Sequence, residues 1–380
     1  MSPEAAAETA ASVFAELGGT QVDPPSLMPA HYPLELSGEA VRARLCIFAD
    51  SSGHEQALRP DLTLPVALAE AESRAAGETG ETLRRYSARA FRLPSVAGEP
   101  MEFTQIGFER FGAPASPELD AEIFGEVHRA ASAAGAKIAS AWFGDLAVFP
   151  AFVDALPLAP GLAEALKRAF RQQGGVRALL SGETGTGEAR GNRLADRLRG
   201  ASRSDAEAIV RDMLELSGVT LVGDRSAGEI ADRLMAKAAQ AEAGGVPEDA
   251  ARLLSNVLAV EAVPEEALET LSRLAREAGL DGKPENPVTN LSKRMETLLA
   301  QAPELAGIAR FGTPFGRRFN YYDGFLFELF GPSAAPARPF GAGGRYDSLI
   351  GRLSQGRVEA SAVGGVVRPD RLSRAAGGVA

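Results

Sequence analysis

Residues 101–112 run Met-Glu-Phe-Thr-Gln-Ile-Gly-Phe-Glu-Arg-Phe-Gly. In a strand, alternate side chains share a face. Phe103, Gln105, Gly107 and Glu109 then fall on one side, and Thr104, Ile106 and Phe108 on the other. Ile106 and Phe108 suit a core. An amide and a carboxylate with a glycine between them make a recess that could accept hydrogen bonds from a small nitrogenous ligand. The same alternation also describes the solvated face of an antiparallel sheet, and spacing alone does not separate the two.

Three further stretches carry comparable chemistry. In Leu58-Arg59-Pro60-Asp61-Leu62-Thr63, a carboxylate and a hydroxyl stand two residues apart at a helix start. They could hold an ammonium group or simply cap the helix. From Arg317 to Glu328, two arginines precede Asn320-Tyr321-Tyr322. Tyr322, Gly324, Leu326 and Glu328 share a face of a regular strand, while Asp323-Gly324 also fits a tight hairpin turn. Tyrosines in such a run more often pack half-buried than touch a ligand. Gly341-Ala342-Gly343-Gly344-Arg345-Tyr346-Asp347 reads as a glycine-rich loop running into a short helix, where backbone can approach a ligand closely. A fifth stretch, Gly182 to Ala189, has only the outline of a phosphate loop. Glu188 and Ala189 stand where that loop needs Lys and Ser or Thr, so it reads as surface.

Alternating sheet and helix patterns must position these pieces. Residues 4–17 read as a helix ended by Gly18-Gly19. Short strands are expected at 42–50 and 54–59, a helix at 61–76, strands at about 85–93 and 101–111, and a helix from Asp120 to about Ala134. From about 157 to 305 the chain is rich in Ala, Leu, Glu and Arg, with capping boxes at Ser204…Glu207 and Ser226…Glu229. Pro247, Pro264 and Pro287 sit where helices would start, and 279–287 looks like a linker. Strand character returns at 317–330 and 361–367, and Pro369 can open a last helix. The fold class is therefore α+β. One discontinuous domain, 1–156 and 306–380, is interrupted by a helical insertion domain, 157–305.

Composition bounds the function. The 380 residues hold 40 Lys plus Arg against 50 Asp plus Glu, a formal charge of −10. That balance argues against non-specific nucleic-acid binding. The single cysteine, Cys46, allows no internal disulfide, and His31, His54 and His128 lie too far apart in sequence to suggest a metal cluster. No apolar run approaches membrane-spanning length, and Glu4 and Glu8 are unlike a signal peptide, so a soluble, cytoplasmic protein is expected.

Taken together, LRPDLT (58–63), RRYSARAFR to FTQIGFERFG (84–112), RRFNYYDGFLFE (317–328), GAGGRYDSL (341–349) and SAVGGVVRPDRL (361–372) resemble the catalytic core of histidyl-tRNA synthetase, a class II synthetase. The motifs occur in that family's order, around a helical insert. The resemblance implies an antiparallel sheet flanked by helices and a histidine pocket. In it Asp61 and Thr63 would hold the α-ammonium, with Gln105 assisting. Glu109 would accept from the imidazole and Tyr322 would meet its other nitrogen. Tyr321 and Arg317 would line the site, and Gly343 and Gly344 would admit backbone.

The departures from that family are informative. Where synthetases carry Arg-His-Glu-Arg, Arg92 is followed by Leu93-Pro94-Ser95, and Arg368 replaces a glycine in the last motif although Arg371 is kept. Arg92 and Arg371 thus look like remnants of an ATP site. Eight residues follow Leu372, too few for an anticodon-binding domain. A histidine pocket beside a degraded ATP motif resembles the regulatory subunits of ATP phosphoribosyltransferase. That resemblance implies a non-catalytic, cofactor-free homodimer that senses L-histidine and joins a short-form catalytic subunit in a hetero-octamer. It further implies a part in the first step of histidine biosynthesis and its feedback inhibition. The competing reading is a tRNA-independent synthetase paralogue that still activates an amino acid.

Overall fold

A computed structural model describes residues 1–96, 98–171, 175–181, 201–217, 227–228, 230–232, 234–235, 245–282, 286–316, 321–332 and 338–377. Its contacts divide into two units. One comprises Met1–Val148, Ala259–Arg273 and Gly282–Ala380, the other Phe149–Leu258 and Leu274–Asp281.

The first unit is built on a nine-stranded sheet. Its order is β1 (Thr20–Gln21), β5 (Thr82–Phe91), β6 (Glu102–Phe111), β12 (Ala362–Val367), β11 (Gly341–Arg345), β10 (Phe325–Phe330), β7 (Ser140–Asp145), β9 (Ala309–Gly312) and β8 (Glu261–Ala262). The β1–β5 and β7–β9 pairs are parallel and the others antiparallel. A second sheet joins β2 (Leu27–Pro29), β4 (Glu55–Leu58) and β3 (Ile47–Ala49).

Register sets the two faces of the large sheet. Glu109 pairs with Arg84 on one side and Gly364 on the other, and Gly364 pairs with Gly344. Gln105, Glu109, Val366, Ala342 and Glu328 therefore share a face. Ile106, Phe108, Gly365, Gly343 and Phe327 share the other, which is covered by helices. The helix Pro3–Ala15 buries Ala6, Ala10, Val13 and Phe14, and Phe14 meets Phe108 edge-on at 4.8 Å. The helix Pro117–Ala133 sets Phe124 edge-on to Phe327 at 5.1 Å. It starts where Ser116 accepts from the Leu119 N–H, with a proline and two acidic residues in its first turn.

Several local expectations are altered. GAGGR is a central strand rather than a loop, because its glycines pack between β10 and β12. Residues 39–42 are helical, and only Ile47–Ala49 of the 42–50 stretch is a strand. Asp323 makes no hairpin. Its carboxylate accepts from the Asp347 and Ser348 N–H groups and so caps the helix Ser348–Leu353.

The second unit is helical in its described parts, with Pro160–Phe170, Gly175–Ser181, Arg203–Ser217 and Glu248–Leu258. Phe149 stacks on Phe170 at 4.6 Å, and Ala206, Val210 and Ala231 form a small core. The cap of Arg203–Ser217 is Ser202, which accepts from Asp205 N–H at 3.2 Å, two residues before the expected box. Ser226 and Glu229 of the second box and the 182–189 loop lie outside the described residues. This unit is smaller than the 157–305 block read from composition. The helix Pro287–Gln301 belongs with the sheet unit, where its Arg294 bonds Asp120 at 2.7 Å and Asp145 at 2.8 Å. Composition cannot register such a bond, made across more than a hundred residues of chain.

Candidate functional site: a cavity over the glycine-rich sheet centre

A cavity of about 450 Å³ lies on the sheet face opposite the helices Pro3–Ala15 and Pro117–Ala133. Asp61, Thr63, Gln105, Tyr321 and Tyr322 line it together with Phe103 and Glu328. Arg44, Arg92, Arg338, Arg368, Arg371 and Glu99 line it as well. The volume falls within the range of small-molecule sites.

The first set is built by the sheet and one helix start. Asp61 precedes the helix Thr63–Ala75, and its Oδ1 accepts from the Leu64 N–H at 3.0 Å. The capping role is therefore real, but it uses one oxygen. Oδ2 is buried and has no hydrogen-bond partner. Burial raises the Asp61 pKa, against the pull of Arg92. An orphan carboxylate oxygen in a cavity wall suits a cationic donor. Gln105 accepts from the Leu62 N–H through Oε1 at 3.1 Å, which leaves its NH₂ group as a donor. The outer-face reading of β6 fails on burial: Gln105 is 7% exposed and Glu109 only 2%.

Glu109 lies behind this wall rather than in it. Its Oε1 accepts from the Thr63 hydroxyl at 2.8 Å and from the Tyr86 hydroxyl at 2.9 Å. Its Oε2 accepts from the Tyr346 hydroxyl. Burial is the largest influence and pushes its pKa up to about 7, although three hydroxyls work the other way. The packing is close enough to dictate residue type. A Cβ on Gly364 would overlap the Glu109 carboxylate, and a Cβ on Gly107 would crowd the Tyr86 hydroxyl. Tyr86 and Tyr346 were not legible as site residues, since their role appears only when β5, β6 and β11 are paired.

The glycines of β11 behave differently from expectation. Gly344 shares the cavity face, and a Cβ there would come within 2.9 Å of the Tyr322 ring. Gly343 faces the other side, where a Cβ would strike the Phe327 ring at 2.6 Å. Neither lines the cavity; Gly341 and Ala342 do. The Tyr321 and Tyr322 rings meet at a tilt, with centroids 4.8 Å apart, and burial raises the pKa of both. Arg317 lies outside the described residues.

The second set is cationic. Arg92 donates to Pro60 O at 2.7 Å, and Arg371 donates to Pro339 O at 2.9 Å. Arg368 lies 3.6 Å over the Phe103 ring and pairs with Asp370. Burial lowers Arg368 to about 9 and Arg371 to about 10, aided by neighbouring arginines. Among the described residues, no group of three or more His, Cys, Asp or Glu is placed to hold a metal ion. No described helix is long and apolar enough to cross a membrane.

A largely antiparallel sheet flanked by helices, with an amino-acid-sized cavity over one face, is a class II synthetase-like architecture. In agreement, residues 2–211 and 208–372 match the family model of histidyl-tRNA synthetase. An ATP phosphoribosyltransferase regulatory subunit from Chelativorans sp. is 31% identical over 343 residues, covering 89% of this chain and 88% of the relative. One from Agrobacterium fabrum is 30% identical, covering 96% and 95%. The chain thus belongs to the histidyl-tRNA synthetase family and, within it, to the ATP phosphoribosyltransferase regulatory subunits. Among solved structures, a regulatory subunit/histidyl-tRNA synthetase from Bacillus halodurans superposes with a TM-score of 0.63 at 19% identity. It covers 98% of this chain and 78% of its own, and at that identity it speaks for the fold.

Proposed function

We propose that this chain is the histidine-sensing regulatory subunit of an ATP phosphoribosyltransferase, itself without catalytic activity. The observation that carries the reading is the buried, unpartnered Asp61 Oδ2 in a cavity it shares with Thr63, Gln105, Tyr321 and Tyr322. Asp61 and Thr63 take the α-ammonium of L-histidine, assisted by Gln105. Tyr322 meets one imidazole nitrogen. Glu109 accepts from the other once the Thr63 hydroxyl turns aside. Arg317 answers the α-carboxylate. The chain acts in the cytoplasm as a homodimer that joins short-form catalytic subunits in a hetero-octamer. There, bound histidine biases the complex toward its less active state, a coupling of typically about 1–3 kcal/mol.

Calorimetric titration with L-histidine, histidinol and other amino acids tests this reading, on the chain alone and with the catalytic subunit. Selective histidine binding, lost in Asp61→Ala, is the expected result. Absence of binding in both preparations would refute it. A second reading rests on the presence of Arg92 and Arg371 in the same cavity: a paralogue that activates an amino acid without tRNA. It requires amino-acid-dependent ATP–pyrophosphate exchange, and a flat assay removes it.

A further inference from the structure

The arginine-bearing wall already contains an anion. Glu99 belongs to the connection between β5 and β6, and its side chain is 11% exposed. Its Oε2 lies 2.8 Å from Arg44 Nη2 and accepts from the Ser95 N–H at 2.9 Å and the Ser95 hydroxyl at 3.2 Å. Its Oε1 accepts from Arg338 Nη1, and Arg338 also donates to the Ser95 hydroxyl at 2.8 Å. Burial works to raise the Glu99 pKa, yet these donors outweigh it and hold the carboxyl at about 2.

The surroundings call for such an anion. Arg92, Arg368 and Arg371 line the same cavity as Arg44 and Arg338. A neighbouring cavity of about 420 Å³ shares Glu99, Arg338, Arg368 and Arg371 with it and adds Arg374. Grouped guanidinium forks are the usual means of holding phosphate oxygens. Here they are set around a side-chain carboxylate, held by two arginines and two Ser95 donors much as a bound phosphate would be.

We infer that Glu99 is a built-in counter-anion that fills the phosphate-accepting part of the cavity and so restricts the site to ligands without phosphate. A nucleotide or acyl-adenylate would have to displace a charge that cannot leave and would meet its repulsion. An amino acid at the Asp61 end meets no such conflict. The inference concerns only the arginine end and does not depend on which amino acid, if any, binds at the other.

The test is calorimetric titration of the full chain with inorganic pyrophosphate, comparing wild type with Glu99→Gln, Glu99→Ala and Glu99→Asp. The glutamine can still accept from Ser95 and so preserves the loop. Circular dichroism of each variant checks that it is folded. Both neutral variants should bind pyrophosphate at least about tenfold more tightly than wild type, since a like charge has been removed. The gain should fall with added salt and vanish when Arg371→Ala is added to Glu99→Gln. Glu99→Asp, which keeps the charge, should behave as wild type. Equal pyrophosphate affinity in wild type and the neutral variants would overturn the inference. So would absence of binding in folded Glu99→Gln, because the arginines would then hold no anion site to fill.

Discussion

The two ends of the cavity solve opposite electrostatic problems. At the sheet end, carboxylates are surrounded by neutral donors: Glu109 by three hydroxyls, and Asp61 by one N–H. Desolvation goes largely uncompensated there, and both acids are shifted upward. At the other end, arginines outnumber acids, and Glu99 is driven down to about 2. The same side chain, Glu, is thus held near 7 at one end and near 2 at the other. What differs is the partner set, neutral hydroxyls in one case and guanidinium groups in the other.

The largest expected effect belongs to the sheet end. Glu109→Ala deprives three buried hydroxyls of their common acceptor, and chemical denaturation should show a loss of about 4 kcal/mol. A loss below that of a surface substitution would mean the network contributes little.

Next comes pH. Glu109 titrates at about 7 in the folded chain against an ordinary value of 4.5, so the folded state holds that proton more tightly. Its contribution is fully present below about pH 4.5 and is lost as the pH rises through about 7, up to about 3 kcal/mol in all. Denaturation midpoints measured across that window should fall with rising pH in wild type, and less steeply in Glu109→Gln. A ligand that donates to Glu109 needs its carboxylate and should bind more tightly above that range.

The arginine end should be more tolerant. Arg338→Ala removes one of the two arginine partners of Glu99 at a site 31% exposed, and should cost about 1 kcal/mol. Arg374→Ala breaks a pair of 3.6 Å on a side chain 56% exposed, and thermal melts should move by less than about 0.5 kcal/mol in equivalent stability. If Arg338→Ala proved as costly as Glu109→Ala, the contrast between the ends would fail.

Much of the site was legible because periodicity reports which side chains share a face. Alternation in β6 placed Gln105 and Glu109 together and Ile106 and Phe108 in the core, as the burial agrees. Pro369 marked the last helix, and Pro264 and Pro287 marked two others, because a missing N–H costs nothing in a first turn. The strand GAGGR escaped, since glycine has no side chain from which to read a period. Arg294 escaped because its two acidic partners lie far away in sequence.

The sequence by itself determined most of the element types, which side chains of β6 share a face, the family and the set of polar groups available to a ligand. These depend on local spacing and on residue identity, which a linear chain displays. Only the tertiary structure decided that Glu109 stands behind Thr63, that Gly343 and Gly344 look to opposite sides, and that Glu99 sits among the arginines. Each of these follows from strand register or from the meeting of distant segments. Register is set by packing across the sheet, where a one-residue slip would turn every side chain to the other face.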